Sequence, residues 1–425
     1  MNMHPIKVVY ICTIANKDIH SHLPLKMDMW TKLLYKKNHF TLTVEVKELA
    51  VWNTNFIELI QQNHKNVELH VIAPYKFLKT KTFEYEQGNI HYHFFRSDDE
   101  NLLRIFIRRI MKVVPDYHRN RKIIKRLIAK VQPDIVHIVG AENPQYALSA
   151  LDVSKRIPLI VQLQTLMNDE RFRDNYEGSN LEYKIRANYE YLILKRADYI
   201  GTSVDRFKEK ISSMADVTPS YVNFILALAE KINLTPVEIK YDFVYFAADI
   251  SKAADYAIEA FILASKQHPG ITLDIIGGYS LALKQTLESR LRENGIEDKV
   301  KFEGMLPSHD DVLEHIRYSR FALLPLKIDL VSGTIRESLA NGLPVLTTIT
   351  PGTPKINAKR ETVLLSAPGD HQALADNMCR ILEDVHLQST LRDNGVLYMK
   401  ELKSNSDRVA EVVSQYYEII DTYKN

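Results

Sequence analysis

Only two cysteines, Cys12 and Cys379, occur in 425 residues, and they lie far apart in the chain. That excludes a disulfide framework and a cysteine-built zinc cluster, and it fits a reducing compartment. Nowhere do 18 apolar residues run together, so no membrane-spanning helix is expected. The opening MNMHPIKVVYICTI has too short an apolar run for a secretory signal, and charge follows soon after it. Charge of one sign is not in excess either: 55 Lys and Arg stand against 53 Asp and Glu, a net charge of +2. Overall charge therefore makes no polyanion binder, and any affinity for nucleic acid or membrane must come from a local patch. Internal repeats and low-complexity tracts are missing. What is present is ordinary: 45% hydrophobic and 25% charged residues, the composition of a globular protein. A chain of this length outgrows one core, so two or three domains are expected, in a cytoplasmic α/β protein.

Short Val- and Ile-rich runs alternate with amphipathic stretches throughout. Ile6–Ile14, Val67–Ala73, Asp134–Val139, Pro158–Leu163 and Asp198–Thr202 read as buried strands, with helices at Gln145–Lys155 and Leu181–Lys195 among the connections. The pattern loosens at Ala227–Lys240, which carries one proline, and then resumes. Strands are expected at Asp242–Ala247, Thr272–Ile276, Lys299–Phe302, Phe321–Leu324, Pro344–Thr347 and Thr362–Leu365. Helices fit at Ala253–His268, Ser280–Asn294, Asp310–Arg317 and Thr334–Asn341. Continuous apolar strands joined by helical crossovers indicate parallel sheets covered on both faces. The reading is two Rossmann-like doubly wound domains, 1–226 and 241–405. A terminal helix within 406–425 is expected to pack back on the first, since Val409, Val412, Val413, Tyr416, Ile419 and Ile420 form one stripe.

The stretch richest in chemistry is Leu324–Lys355. A strand ends near Pro325, a loop Lys327–Gly333 follows, and a helix opens at Thr334. Ser332, Gly333 and Thr334 place small residues and free backbone N–H groups at a helix N-terminus, a ready seat for a phosphate or diphosphate. Asp329 and Glu337 add two carboxylates able to accept hydrogen bonds from sugar or ribose hydroxyls. The plainer alternative is that Asp329 and Ser332 cap the helix while Glu337 pairs with Arg336 or another neighbour.

Here the chain resembles the family 4 glycosyltransferases of the GT-B fold. Asp329-x7-Glu337 is followed by Ala340-Asn341-Gly342-Leu343-Pro344-Val345, which is similar to that family's paired acids and small-residue turn. PDIVHIVGAEN (133–143), KRADYIGTS (195–203), DIIGGY (274–279) and KFEGMLPSHDDV (301–312) match other family segments in order. The resemblance implies two facing Rossmann-like domains with a cleft between them, and transfer of a sugar from a UDP- or GDP-linked donor with retention, without a metal or other cofactor. It implies Glu337 on the ribose, Asp329 on the donor sugar, the backbone around Ser332–Thr334 on the diphosphate, and the loop with Gly304 and Leu306 at the base. On the acceptor side it points to Glu142 and Gln164, with His20 and His22 in the loop CTIANKDIHSHLP. The implied acceptor is a glycan under assembly, lipid-linked at the cell surface.

Two departures bear on this. The family's Arg and Lys after the first strand of the second domain are replaced by Asp249 and Ala254, leaving Lys252, Lys327 and Arg336 as nearby cations. Lys252 is the first choice to stand in, as catalytic and donor-binding residue. The glycine-rich first loop and the acceptor-side histidine are also missing, Gln164 standing where the histidine falls. A non-catalytic GT-B binding protein and a GT-B nucleotide-sugar epimerase therefore stay open. No metal-ligand spacing is visible, and His70, His91 and His93 read as strand or surface histidines rather than ligands. Finally, residues 101–130 hold ten Lys and Arg and one acid, Asp116. With interleaved apolar residues, segment 104–130 is either two packed helices with solvated outer faces or a peripheral contact to anionic lipid at the inner membrane face. RNA-binding motifs are absent, so nucleic acid is not an expected partner.

Overall fold

The computed structural model describes residues 4–26, 50–75, 77–97, 115–174, 176, 179–202, 204–222, 231–250, 253–327 and 333–424. The sequence-expected Lys252, Asp329 and Ser332, and the part of the basic block before residue 115, lie outside the described residues. The chain divides into two compact units, Met1–Ala227 with Ser404–Asn425, and Leu228–Lys403.

In the first unit the strands are β1 (Ile6–Ile11), β2 (Val67–Pro74), β3 (Thr82–Gln87), β4 (Ile90–Phe95), β5 (Ile135–Val139), β6 (Leu159–Gln162), β7 (Tyr199–Gly201) and β8 (Ser220–Val222). They order as β3-β4-β2-β1-β5-β6-β7-β8. All neighbouring pairs are parallel except β3 with β4. The helices that matter here are α1 (Lys17–His22), α2 (Val51–Asn63), α3 (His118–Val131) and α4 (Asn180–Arg196). The central strands are buried on both sides, IVHIV of β5 throughout, which is why their sequences are continuous apolar runs.

The second unit repeats the scheme with β9 (Tyr241–Asp249), β10 (Leu273–Gly278), β11 (Val300–Gly304), β12 (Ser319–Leu324), β13 (Val345–Thr348) and β14 (Val363–Ser366). Their order is β11-β10-β9-β12-β13-β14, every pair parallel. Among its helices are α5 (Ala254–Ser265), α6 (His309–Ile316) and α7 (Gly333–Ala340). In each sheet the chain winds outward from the first strand and then returns to that strand's other side. The reversals fall between β1 and β5 and between β9 and β12, and open sheets of this kind bind ligands beyond the strand ends at such points.

The terminal helix α8 (Asn405–Lys424) belongs to the first unit. Val409, Val412, Val413, Tyr416, Ile419 and Ile420 are buried in that unit's core with Phe56, Ile57 and Ile60 of α2. Tyr416 hydroxyl meets His137 Nδ1 at 2.6 Å, and Tyr417 hydroxyl donates to the His4 carbonyl at 2.7 Å.

Two sequence expectations are corrected. The helix expected over Gln145–Lys155 is one α-turn, Pro144–Ala147, tightened into a 3-10 segment Leu148–Asp152. Tyr146 hydroxyl ties the turn back to the Val139 carbonyl at 2.7 Å, and Asp152 is held by Arg121 Nε at 2.7 Å. The β3–β4 hairpin was not expected; it turns at Gly88, whose φ is 62°, in a Gln-Gly-Asn sequence that carries the turn signal.

Candidate functional site

Strand β12 delivers the loop of the second unit. Its exit is pinned by β13: Leu326 N–H donates to Thr348 Oγ1 at 2.8 Å, Thr348 Oγ1 donates to the Leu326 carbonyl at 2.6 Å, and Thr347 Oγ1 to the Leu324 carbonyl at 2.7 Å. Lys327 leaves this clamp and reaches Asp255 Oδ2 at 2.8 Å, with its Nζ 4.7 Å from the ring centre of Tyr256. Asp255 and Tyr256 are in the first turn of α5, so the contact spans the β9/β12 reversal. Ala254, one residue before, is fully buried, and Asp249 is exposed at the carboxyl end of β9.

Gly333 and Thr334 open α7, and Glu337 lies one turn in. The residue is only 5% exposed, and its carboxylate faces His309 Nε2 of α6 at 3.5 Å. Described contacts do not pair it with Arg336, whose Nε is shut off from solvent. A buried carboxylate is costly unless its surroundings compensate it. Helix α7 ends in a tight cap: Gly342 N–H bonds the Leu339 carbonyl at 3.1 Å and Leu343 N–H the Ser338 carbonyl at 3.0 Å. Gly342 has φ 71°, the left-handed value this cap needs, which explains the Asn341-Gly342-Leu343 turn physically. Gly304 closes β11 next to Tyr279, and Leu306 packs on the core of the same unit.

In the first unit the structure brings Glu142 and Gln164 together beyond the carboxyl ends of β5 and β6. With its amide oriented to satisfy both neighbours, Gln164 donates to Glu142 Oε1 at 3.0 Å and accepts from Trp52 Nε1 at 2.8 Å. Asn143 Nδ2 donates to the same Oε1 at 2.8 Å. Glu142 Oε2 is shut off from solvent and has no hydrogen-bond partner among the described residues. Burial, with the nearby Glu190 carboxylate adding to it, pushes the Glu142 carboxyl up to about 8. At neutral pH this is a protonated carboxyl, a hydrogen-bond donor. A side chain at Gly140, φ 89°, would press to 2.6 Å of Asn143 Nδ2 and 2.7 Å of Glu142 Oε1, so glycine there leaves the carboxyl its room.

Sequence reasoning missed Glu190 of α4, fully buried, which accepts from Met167 N–H and Asn168 N–H, both at 2.9 Å. Burial raises its carboxyl to about 7. In sequence it looks like any polar helix position. His309 and Trp52 were also missed. His20 and His22 are not joined to Glu142 by any described contact: His20 Nδ1 is 3.3 Å from the Tyr75 hydroxyl and His22 stacks on Tyr85 at 4.8 Å.

The fold also assembles carboxylates and imidazoles that linear spacing did not reveal. Glu68, His70 and His91 form one group on the first sheet, and Asp274, Glu303 and His315 another on the second. In the latter, burial lifts the Asp274 carboxyl to about 6, with His315 Nε2 at 3.0 Å. The basic segment is partly accounted for: α3 buries Ile124, Leu127, Ile128 and Val131 and exposes Lys122, Lys125 and Arg126. Among the described residues no helix is long and apolar enough to cross a membrane.

Residues 242–384 match the family described as Glycosyl transferases group 1. A 2-deoxystreptamine N-acetyl-D-glucosaminyltransferase of Niallia circulans is 25% identical over 109 residues, 26% of this chain, and the match spans only 28% of that relative's length. The sucrose-phosphate synthase of Thermosynechococcus elongatus superposes with a TM-score of 0.72 at 14% identity, covering 98% of this chain and 100% of that one. A pneumococcal O-GlcNAc transferase in complex with UDP and GlcNAc superposes with a TM-score of 0.53 at 16% identity, over 70% of this chain and 60% of that one. Together with the two doubly wound units, these likenesses show the GT-B fold, and the second unit is similar to the group 1 glycosyltransferases over residues 242–384.

Proposed function

We propose that the protein is a glycosyltransferase that takes a sugar from a nucleotide-diphosphate donor, UDP- or GDP-linked, held by the second unit. The observation that carries this is Glu337, a carboxylate kept buried on α7 at the strand-end edge where doubly wound sheets bind ligands. It falls inside the segment that matches the group 1 family. In this reading Glu337 accepts hydrogen bonds from ribose hydroxyls, and the N–H groups of Gly333 and Thr334 opening α7, with Ser332 before them in sequence, hold the diphosphate. Asp329 contacts the donor sugar, and the loop of Gly304 and Leu306 the base. Lys327, three residues beyond β12, supplies positive charge to the leaving diphosphate, with Lys252 and Arg336 as further cations that the sequence offers.

Transfer of a hexosyl group proceeds with retention and without a metal. The bond from the anomeric carbon to the diphosphate oxygen breaks, a bond to an acceptor hydroxyl oxygen forms, and that hydroxyl's proton is released. The acceptor is a hydroxyl-rich glycan, bound by the first unit near the Glu142–Gln164 pair; His20 and His22 stand on α1. The acceptor is lipid-linked, in polysaccharide assembly at the cytoplasmic membrane face. Support for that comes from Lys122, Lys125 and Arg126, exposed in a row on α3, where each surface cation contributes on the order of 1 kcal/mol toward anionic lipid. Arg121 and Lys130 of the same helix are already engaged with Asp152 and Glu84.

One observation favours a second reading, a non-catalytic nucleotide-binding GT-B protein. Exposed Asp249 and buried Ala254 stand where the related family carries cations. Incubation with a panel of nucleotide-sugars, followed by released nucleotide, decides between them. Turnover establishes the transferase; nucleotide-dependent stabilisation without turnover establishes the binding protein; neither effect overturns both.

A further inference from the structure

The outer strands of the first sheet carry apolar side chains on one face and a dense set of imidazoles and carboxylates on the other. Leu69, Val71, Tyr92 and Phe94 face the core. Alternating with them in sequence are Glu68 and His70 on β2 and His91 and His93 on β4, with Glu84 and Glu86 on the hairpin partner β3. The register gathers them: His70 pairs with His91 across β2–β4, and Glu86 with His91 and Glu84 with His93 across β3–β4. With a period of two along each strand, all six side chains share one face.

Their contacts run in two lines that meet at Glu68. His70 Nε2 is 2.9 Å from Glu68 Oε1, His70 Nδ1 is 3.1 Å from His93 Nε2, and His93 Nδ1 is 3.4 Å from Glu84 Oε2. His91 Nε2 is 3.8 Å from the same Glu68 oxygen, and His91 Nδ1 is 3.0 Å from Glu86 Oε2. Three contacts link Glu68, His70, His93 and Glu84, yet two neutral imidazoles bring only two N–H hydrogens. His93 Nδ1 makes no hydrogen bond among the described residues; a hydrogen on Nδ1 of His70 and of His91 turns toward His93 and Glu86. That arrangement leaves His70 Nε2, His91 Nε2 and Glu68 Oε1 as bare lone pairs, and the three residues each offer one ligand atom within 4.8 Å of the others. Lys7 Nζ, 3.7 Å from Glu68 Oε1, meets the carboxylate alone among these groups.

We propose that Glu68, His70 and His91 bind a divalent transition-metal ion of the Zn2+ class. Separations of 2.9 and 3.8 Å bracket the roughly 3.3 Å between ligands on a tetrahedral ion with bonds of about 2.0–2.1 Å. Each ligand imidazole gives its second nitrogen to an orienting partner, His91 to Glu86 and His70 to His93 with Glu84 behind it, the support that metal-bound histidines use. Partial exposure of Glu68 and His91 gives the ion an entry and leaves the fourth position to water. Bound there, the ion clips β2 to β4 near the sheet edge.

The test uses the full chain, stripped of metal with a chelator, then titrated with Zn2+ by calorimetry and with Co2+ by visible absorption. Expected are one ion per chain, the absorption bands of a tetrahedral nitrogen and oxygen site with Co2+, and a higher unfolding temperature with Zn2+. Glu68→Gln with His91→Gln, both on the partly exposed side, should abolish that binding while the metal-free unfolding temperature holds. His93→Gln should weaken it about 10–100-fold. No saturable binding by the wild-type chain overturns the proposal whatever the variants do. Undiminished binding by the double variant places the ion elsewhere and overturns it equally.

Discussion

Nζ of Lys327, three residues beyond β12, lies 2.8 Å from Asp255 Oδ2 in the first turn of α5. The pair sets a cation one residue from buried Ala254, where the related family carries its own. If this charge serves a diphosphate, Asp255 competes for it. Lys327→Ala should lower nucleotide affinity and turnover about tenfold, roughly 1.4 kcal/mol, whereas Asp255→Asn should raise nucleotide affinity. Calorimetry with UDP and GDP reads both signs; an equal loss in both variants would make the pair merely structural.

Glu337→Ala removes the carboxylate facing His309. A hydrogen bond to a charged group typically contributes about 1.5–3 kcal/mol, so nucleotide binding should weaken by that amount while the thermal transition stays cooperative. Unchanged affinity would reject the ribose assignment.

The Glu142 carboxyl, at about 8 in the folded chain against an ordinary 4.5, makes a pH prediction. Its folded-state value is raised, so its stabilising contribution is fully present below about pH 4.5 and is lost as the pH climbs toward 8. Urea unfolding of the wild type should show stability declining across that window by at most about 1.4 kcal/mol per pH unit for this one proton. Glu142→Gln, which cannot ionise, should flatten the decline; an identical slope in the variant would assign the effect to Glu190 or another group.

Terminal helix α8 should be indispensable to the first unit. Ile420 is 1% exposed in the shared core, and Ile420→Ala should cost about 2–5 kcal/mol by lost burial and the cavity left behind. Denaturant midpoints at constant slope would check this, and a loss below 1 kcal/mol would mean the helix docks loosely.

The alternation of apolar runs and amphipathic helices was enough to read two doubly wound units, because strands buried on both faces must be continuously apolar and their crossovers must be helical. The stripe on α8 was legible for the same reason, since six apolar residues at helical spacing need a surface to cover. So was the candidate donor loop, where Gly333, Thr334, Glu337 and Gly342 sit within ten residues and their relation is set by one helix and its cap. Tertiary structure alone decided the rest. Glu142 meets Gln164 and Trp52 only after β5, β6 and α2 are in place. Lys327 finds Asp255 only across a strand reversal. Glu68, His70 and His91 converge only through the register of β2 with β4. Hydrophobic periodicity reports burial along the chain, and burial selects the elements. Which polar side chains then share a face depends on strand order and register, and those follow from how whole elements pack.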